Sequence, residues 1–212
     1  MIMTLEQTAA PVTFHTDKDL IIELAEDGNA EALFEEACEQ FENKKIEQDA
    51  QGNVYVMAPA GGVSSKQNSR LTRQLDIWAD EDGRGHSFDS CVNFVFPDGS
   101  KRSPDGSWAS FERVEALTDE EQRKFLKLIP EFVIEIKSPS DRYSKLQAKM
   151  EEYRRNGVTL GWLIHPDKRT VAIYRQDGTV EVLEQPETLA ADGPVSGFVL
   201  DLKPIWRGLK RP

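Results

Sequence analysis

A short strand pattern that ends in charged residues is the feature of this sequence that most constrains the fold. Phe132, Ile134 and Ile136 occupy alternate positions, which is the period of a β-strand with two different faces. Glu135 and Lys137 fall on the opposite face, about 7 Å apart at the backbone, because a strand rises roughly 3.3 Å per residue. The two charged side chains therefore either serve a functional site or form an ordinary ion pair on an exposed strand.

A second carboxylate precedes this strand in the sequence. Asp105 follows Pro104 and precedes Gly106, which predicts a turn leading into residues 107–109. In that position the carboxylate could simply cap the turn. A Pro-Asp pair followed at a distance by Glu-x-Lys is, however, similar to the signature of the PD-(D/E)xK nuclease superfamily.

Length and composition predict one cytoplasmic domain. The 212 residues suffice for a full hydrophobic core, and we expect a single domain over residues 17–212 after an aperiodic tail, residues 1–16. No apolar stretch approaches the roughly 18 residues of a membrane helix, and the N-terminus lacks a secretory signal. Cys38 and Cys91 have no metal-ligand spacing, so we interpret them as reduced thiols of a cytoplasmic protein.

The charge of the chain is unevenly distributed. The net charge of −11 argues against a general DNA-coating protein, since neutralisation of phosphates dominates non-specific affinity. Residues 17–47 hold eleven acidic and three basic residues, whereas residues 122–155 hold nine basic and five acidic ones. The basic segment brackets the Glu-x-Lys strand, which favours an anionic substrate there, although ordinary charge scatter on a solvated helix would look the same.

The predicted elements indicate an α/β protein with strands and helices in alternation. Two capping-box patterns, at 64–67 and 144–147, predict helix starts. The helix after the second one carries Lys149 on or beside its core-facing stripe, an unusual place for an ammonium group. The main predicted elements are helices at 19–26 and 30–41, a hairpin of 45–48 with 54–58, a helix after residue 64 with Leu71 and Leu75 on its apolar stripe, the strand around Glu135, a helix from 144 to 156, and a buried strand at 160–164.

Several blocks of residues together resemble the bacterial Uma family, restriction endonucleases of the PD-(D/E)xK superfamily. The resemblance covers roughly residues 45–175. It implies a restriction-endonuclease-like core, in which a central mixed β-sheet is flanked by helices. The blocks are Ser-Pro-Asp at 103–105, Pro-Glu-Phe-Val-Ile-Glu-Ile-Lys-Ser-Pro-Ser-Asp at 130–141, Lys-Met at 149–150, Tyr153, Asn-Gly at 156–157 and Leu-Gly-Trp-Leu-Ile-His-Pro at 160–166.

The resemblance also implies roles for individual residues. Asp105 and Glu135 would be metal ligands, and Lys137 would be the catalytic lysine. Glu47 matches an additional acidic position near such sites, and Lys149 matches a basic position on the helix after the catalytic strand. From the residues alone, Glu47 could equally be a solvated edge residue, and Lys149 could reach solvent along an apolar surface.

Phosphodiester hydrolysis explains why these residue types would occur together. A hard cation such as Mg²⁺ or Mn²⁺ binds one or two carboxylates, which Asp105 and Glu135 would supply, with the backbone carbonyl of Ile136 as a third ligand. Lys137 would orient or deprotonate the attacking water. We therefore expect a metal-dependent DNA endonuclease, with a catalytically silent protein that binds nucleic acid or a partner protein as the alternative. Cutting both strands of DNA commonly needs two active sites, which predicts a homodimer.

Overall fold

The computed structural model describes residues 12–14, 20–25 and 28–211. The chain forms two compact units. The first comprises the described residues of Met1–Pro59 together with Val95–Ser103, and the second comprises Ala60–Phe94 and the described residues of Pro104–Pro212. The prediction of a single domain over residues 17–212 stays a prediction.

The first unit contains a six-stranded sheet and one helix. The helix, α1 (Ala30–Gln40), begins after Asn29, whose side-chain oxygen accepts hydrogen bonds from two backbone N–H groups of the first turn. Its apolar face, which includes Leu33 and Phe34, is buried against the sheet. The strands, numbered along the whole chain, are β1 (Val12–Phe14), β2 (Leu20–Ile22), β3 (Lys45–Gln48), β4 (Val54–Met57), β6 (Phe94–Val95) and β7 (Lys101–Arg102), in the spatial order β1-β2-β4-β3-β7-β6.

The predicted hairpin is confirmed by the antiparallel pair β3 and β4, but the predicted helix at 19–26 is wrong. Within it, Leu20–Ile22 is strand β2, which pairs with β4 in the antiparallel register Leu20↔Val56. A Leu-Ile-Ile sequence suits a strand, and pairing with β1 on one side and β4 on the other outweighs the weak helical pattern. Of the predicted tail, residues 12–14 form β1, and its other residues lie outside the described part of the chain.

The second unit is built on a six-stranded mixed sheet. β9 and β10 are parallel, and the other neighbouring pairs are antiparallel. A separate antiparallel pair consists of β13 (Thr188–Ala190) and β14 (Val199–Asp201). The strands of the large sheet are β5 (Gly85–Asp89), β8 (Gly106–Ser110), β9 (Phe132–Ile136), β10 (Leu160–His165), β11 (Thr170–Arg175) and β12 (Val180–Glu184), in the spatial order β12-β11-β10-β9-β8-β5.

Helices cover both faces of this sheet. Leu71 and Leu75 of α2 (Gly62–Asp82) belong to the same buried cluster as Ile134 of β9. On the opposite face, α4 (Tyr143–Arg155) approaches so closely that a Cβ atom on Gly161 would lie 2.5 Å from the Met150 methyl group. Because both faces are covered, every residue of β9 is buried, rather than one face only.

Two short helices complete the second unit, α3 (Phe111–Glu115) and α5 (Lys203–Arg207). No helix in the described part of the chain is both long and apolar enough to cross a membrane. The predicted α/β class, with a central mixed sheet flanked by helices, is confirmed.

Both capping-box predictions are wrong, although both helices exist. The N-cap of α2 is Gly61 and that of α4 is Arg142, so the predicted Ser-x-x-Gln patterns lie inside the helices. The N–H of Ser65 already donates to the carbonyl of Gly61 at 2.9 Å, which shows that helical hydrogen bonding begins before the serines could cap it.

Candidate active site

Two neighbouring strands of the second unit bring Asp105 to the end of β9. β8 and β9 pair with Gly106 opposite Ile134, and Asp105 directly precedes Gly106, the first residue of β8. The backbone N–H of Ile136 donates to Asp105 Oδ2 at 2.8 Å. The fold therefore ties Asp105 to the strand that bears Glu135, although the two residues are 30 positions apart in the sequence.

Asp105 is held by α2 as well as by β9. Asn68 Nδ2 donates to Asp105 Oδ1 at 3.0 Å, so each carboxylate oxygen accepts a hydrogen bond from a different element. Asn68 is not among the site residues predicted from the sequence. Its signal is nevertheless present, because Asn68 precedes Leu71 by three residues and Leu75 by seven, which places a polar amide on the apolar stripe of the helix. Asp105 does more than cap a turn.

Glu135 is a buried carboxylate that is neutralised from α4. The residue is only 4% exposed, and its Oε1 lies 2.8 Å from the ammonium of Lys149 and 2.8 Å from the hydroxyl of Tyr153, which donates to it. A buried carboxylate needs such partners, because removing its charge from water is costly. Lys149 and Tyr153 are four residues apart and therefore lie on the same face of α4.

This arrangement explains why an ammonium lies on the core-facing stripe of α4. The Lys149 side chain is 12% exposed and its ammonium contacts the Glu135 carboxylate, rather than reaching solvent along an apolar surface. It also lies 5.7 Å from the centre of the Tyr153 ring, a cation–π distance. Tyr153 belongs to the family resemblance, but its contact with Glu135 was not predicted from the sequence.

Lys137 lies one residue beyond the end of β9. Its backbone N–H donates to the carbonyl of Ile164 in β10 at 2.8 Å, and its ammonium donates to the carbonyl of Ser138 at 2.8 Å. Lys149, and not Lys137, forms the ion pair with Glu135 that is seen at 2.8 Å. The half-buried ammonium of Lys137 is therefore held by a neutral backbone acceptor.

His165, the last residue of β10, follows the residue that Lys137 contacts. Burial lowers the pKa of its imidazole, and the positive charges of Lys137 and Lys168 lower that pKa further. The backbone N–H of Lys168 donates to Nδ1 at 3.4 Å, so in the neutral ring the proton resides on Nε2. The backbone contact of Lys137 with Ile164, the residue before His165, places Lys137 and His165 in one neighbourhood.

Glu47 belongs to the first unit, where it lies on β3. It is 1% exposed, so the interpretation as a solvated edge residue is wrong. Its carboxylate accepts a hydrogen bond from the N–H of Ser103 at 3.1 Å and another from Arg102 at 3.3 Å. A role of Glu47 in catalysis stays a prediction.

The donor set of Asp105 and Glu135 fits a hard divalent cation. Among residues 12–14, 20–25 and 28–211, no group of three or more His, Cys, Asp or Glu side chains is placed to hold a metal. Carboxylates are nevertheless suitable ligands, since Mg²⁺ usually binds through one or two of them and keeps several waters. A carboxylate offers about four lone-pair directions, so an oxygen that accepts one hydrogen bond can still bind a cation. The carbonyl of Ile136 as a third ligand stays a prediction.

Comparisons with known proteins assign the chain to a family. A family model, Uma2, described as "Putative restriction endonuclease", matches residues 31–203. The chain is a member of the Uma2 family. The segment matched in this Uma2 protein includes Glu47, Asp105, Glu135, Lys137 and Lys149.

A solved structure supports the fold of this Uma2 chain. It is the crystal structure of a "putative nuclease belonging to DUF820" from Anabaena variabilis. The TM-score is 0.65 and the sequence identity 23%, over 76% of this chain and 89% of the other. At that identity the similarity shows a shared fold, which confirms the predicted nuclease-like architecture. No curated protein matches this Uma2 chain.

Proposed function

We propose that this protein is a metal-dependent endonuclease that hydrolyses phosphodiester bonds of DNA. Its membership of a restriction endonuclease family supports the reaction class. The hydrogen bond from Ile136 N–H to Asp105 Oδ2, at 2.8 Å, is the observation that carries the assignment of the site. It ties one carboxylate to the strand that bears the other, immediately before Lys137.

Asp105 and Glu135 would hold Mg²⁺ or Mn²⁺. Such a cation, when bound, would offset negative charge on the phosphate oxygens and on the leaving alkoxide. Asn68 and the Ile136 N–H orient the Asp105 carboxylate. Tyr153 and Lys149 orient Glu135 and keep its charge compensated in the buried site.

Lys137 would act on the attacking water. Its ammonium lies at the same strand end as the carboxylates and donates to a backbone carbonyl. A water and a phosphate could replace this hydrogen bond at little cost in free energy. Lys149 has the opposite environment, since it is paired with a buried carboxylate. We therefore assign the water to Lys137 and a supporting role to Lys149. Glu47 as a further catalytic residue, a cytoplasmic location and a homodimer remain proposals.

Cleavage of plasmid DNA with Mg²⁺ or Mn²⁺ tests the proposal. Wild type should nick or linearise the plasmid, and both Asp105→Ala and Lys137→Ala should abolish this activity. Arg155→Ala is the matched control, because this exposed cation lies at the far end of α4, about 18 Å along the helix from its first residue. Full cleavage by either site variant would remove that residue from the mechanism.

A catalytically silent nucleic-acid-binding protein is the second candidate. The Lys149–Glu135 contact favours it, because a protein cation already compensates the carboxylate that a metal would need. Under this alternative, wild type would bind DNA but cleave no tested substrate with either metal.

Light scattering tests the proposed homodimer separately, since a constant mass of about 23.9 kDa at all concentrations would show a monomer.

A further inference from the structure

One edge of the large sheet gathers cations that the proposed chemistry does not use. β9 and β10 are parallel, so their carboxyl ends meet at the same edge. After β10 the chain turns sharply through residues 166–169 into β11, and after β9 it runs through residues 137–142 into α4. The first residue of α4, Tyr143, places its ring 5.3 Å from the ring of His165, which brings the start of α4 to this edge.

The charge at this edge contrasts with that of the whole chain. The two segments that follow β9 and β10, residues 137–145 and 166–169, hold five cations and two carboxylates, in a protein of net charge −11. One of the carboxylates, Asp141, is engaged by the backbone N–H of Ser138 at 2.7 Å. Both Lys168 and Arg169 are exposed. The cations are Lys137, Arg142, Lys145, Lys168 and Arg169, and the carboxylates are Asp141 and Asp167.

Hydrogen bonds connect the turn to the candidate active site. The backbone N–H of Lys137 donates to the carbonyl of Ile164 at 2.8 Å. The backbone N–H of Lys168 donates to the ring of the next residue, His165, at 3.4 Å. The backbones of Lys137 and Lys168 therefore contact consecutive residues at the end of β10. A polyanion that enters the site at Lys137 would meet the turn at 166–169.

The backbone of Arg169 adds an independent observation. Its φ is +54°, a conformation that glycine and asparagine adopt much more readily than arginine. Its backbone is fixed there, since the Arg169 carbonyl accepts a hydrogen bond from Gln185 at 2.8 Å. Stability alone would favour glycine at this position. A strained conformation that retains a cation points to a functional reason.

We propose that the β10–β11 turn binds the phosphate backbone of the DNA substrate through Lys168 and Arg169, next to the site of hydrolysis. This inference rests on the proposed function. Phosphates are the partner that fits, because the edge offers several exposed cations and no exposed large apolar residue at the turn. The contact would strengthen binding and position the strand without reading its sequence.

Salt-dependent binding of a labelled DNA duplex, measured by fluorescence anisotropy in chelator, tests this inference. For Lys168→Ala/Arg169→Gly, the slope of log affinity against log salt should fall by about 0.9 per cation, close to two in total. The melting temperature should stay the same or rise, because glycine relieves the strain at residue 169. Loss of affinity through misfolding would lower it instead.

The control is Arg154→Ala/Arg155→Ala, which removes two cations from the opposite end of α4. It should keep the wild-type slope. If wild type binds DNA and the turn variant keeps the wild-type slope too, the turn makes no phosphate contact and the inference is overturned while the proposed function stands. If wild type binds no DNA at low salt, both are overturned.

Discussion

Replacing Lys149 by methionine tests whether Glu135 is a buried carboxylate that needs a cation. The two side chains are only 12% and 5% exposed, and the ammonium lies 2.8 Å from Oε1. Removing one partner of a buried ion pair costs about 3–5 kcal/mol, because the other charge is left uncompensated. The Tyr153 hydroxyl still donates to Glu135, so we expect the lower end, about 3 kcal/mol. At about 2–4 °C per kcal/mol for a chain of this size, the melting temperature should fall by roughly 6–12 °C.

A matched control separates the effect of losing a buried charge from that of losing an exposed one. Lys124 and Glu120 form a pair at 2.7 Å, but their side chains are 67% and 81% exposed. Exposed pairs often contribute nothing measurable, so Lys124→Met should leave the denaturation midpoint unchanged. Glu135→Gln/Lys149→Met removes both charges, and it should recover part of the stability that Lys149→Met loses.

Denaturation with urea, in chelator and in saturating Mn²⁺, measures these effects. If Glu135 is a metal ligand, Mn²⁺ supplies the missing positive charge, and it should stabilise Lys149→Met more than wild type. Equal stabilities of Lys149→Met and wild type in chelator would show that the ion pair contributes nothing. Lack of extra stabilisation by Mn²⁺ would remove Glu135 from the metal site.

Three further predictions concern the same site. In wild type, Mn²⁺ at a hundredfold its dissociation constant should add about 2.7 kcal/mol of stability. Asp105→Asn should lose most of that gain, and Lys137→Ala should keep it. Equal gains in all three proteins would refute the assignment of Asp105 as a ligand. Asn68→Ala should weaken Mn²⁺ binding about 10–100-fold, because it removes one of the hydrogen bonds that orient the Asp105 carboxylate. Gln67→Ala, which loses a bond to the Ile205 carbonyl, should not weaken it. Calorimetric titration compares the two variants. The pKa of His165 lies below the ordinary 6.5, owing first to burial, so the unfolded chain takes up this proton more readily than the folded one. The contribution of His165 to stability should therefore be full above about pH 6.5 and should fall below it. In urea titrations at two pH values, His165→Gln should lose less stability than wild type on acidification.

Local patterns in the sequence were sufficient for elements whose environment repeats along the chain. The alternation around Glu135 predicted β9, and the apolar run at 160–164 predicted β10, because strand pairing and burial act on every residue of these segments. The stripe of Leu71 and Leu75 predicted α2 in the same way. The predicted helix starts were wrong, because a four-residue capping pattern competes with the backbone hydrogen bonds of the turn before it.

The sequence by itself determined which residues are candidates for the chemistry: Asp105, Glu135 and Lys137 follow from a motif whose spacing can be read along the chain. Only the tertiary structure decided how they are held. Asn68 reaches Asp105 across 37 residues, and Tyr153 reaches Glu135 across 18. Such contacts depend on how β8 and β9 pair and on how α2 and α4 pack on the two faces of the sheet, whereas sequence periodicity reports only the side of an element that is buried. Periodicity placed Lys149 toward the core, and the packing of α4 over β9 supplied the carboxylate that makes this position stable.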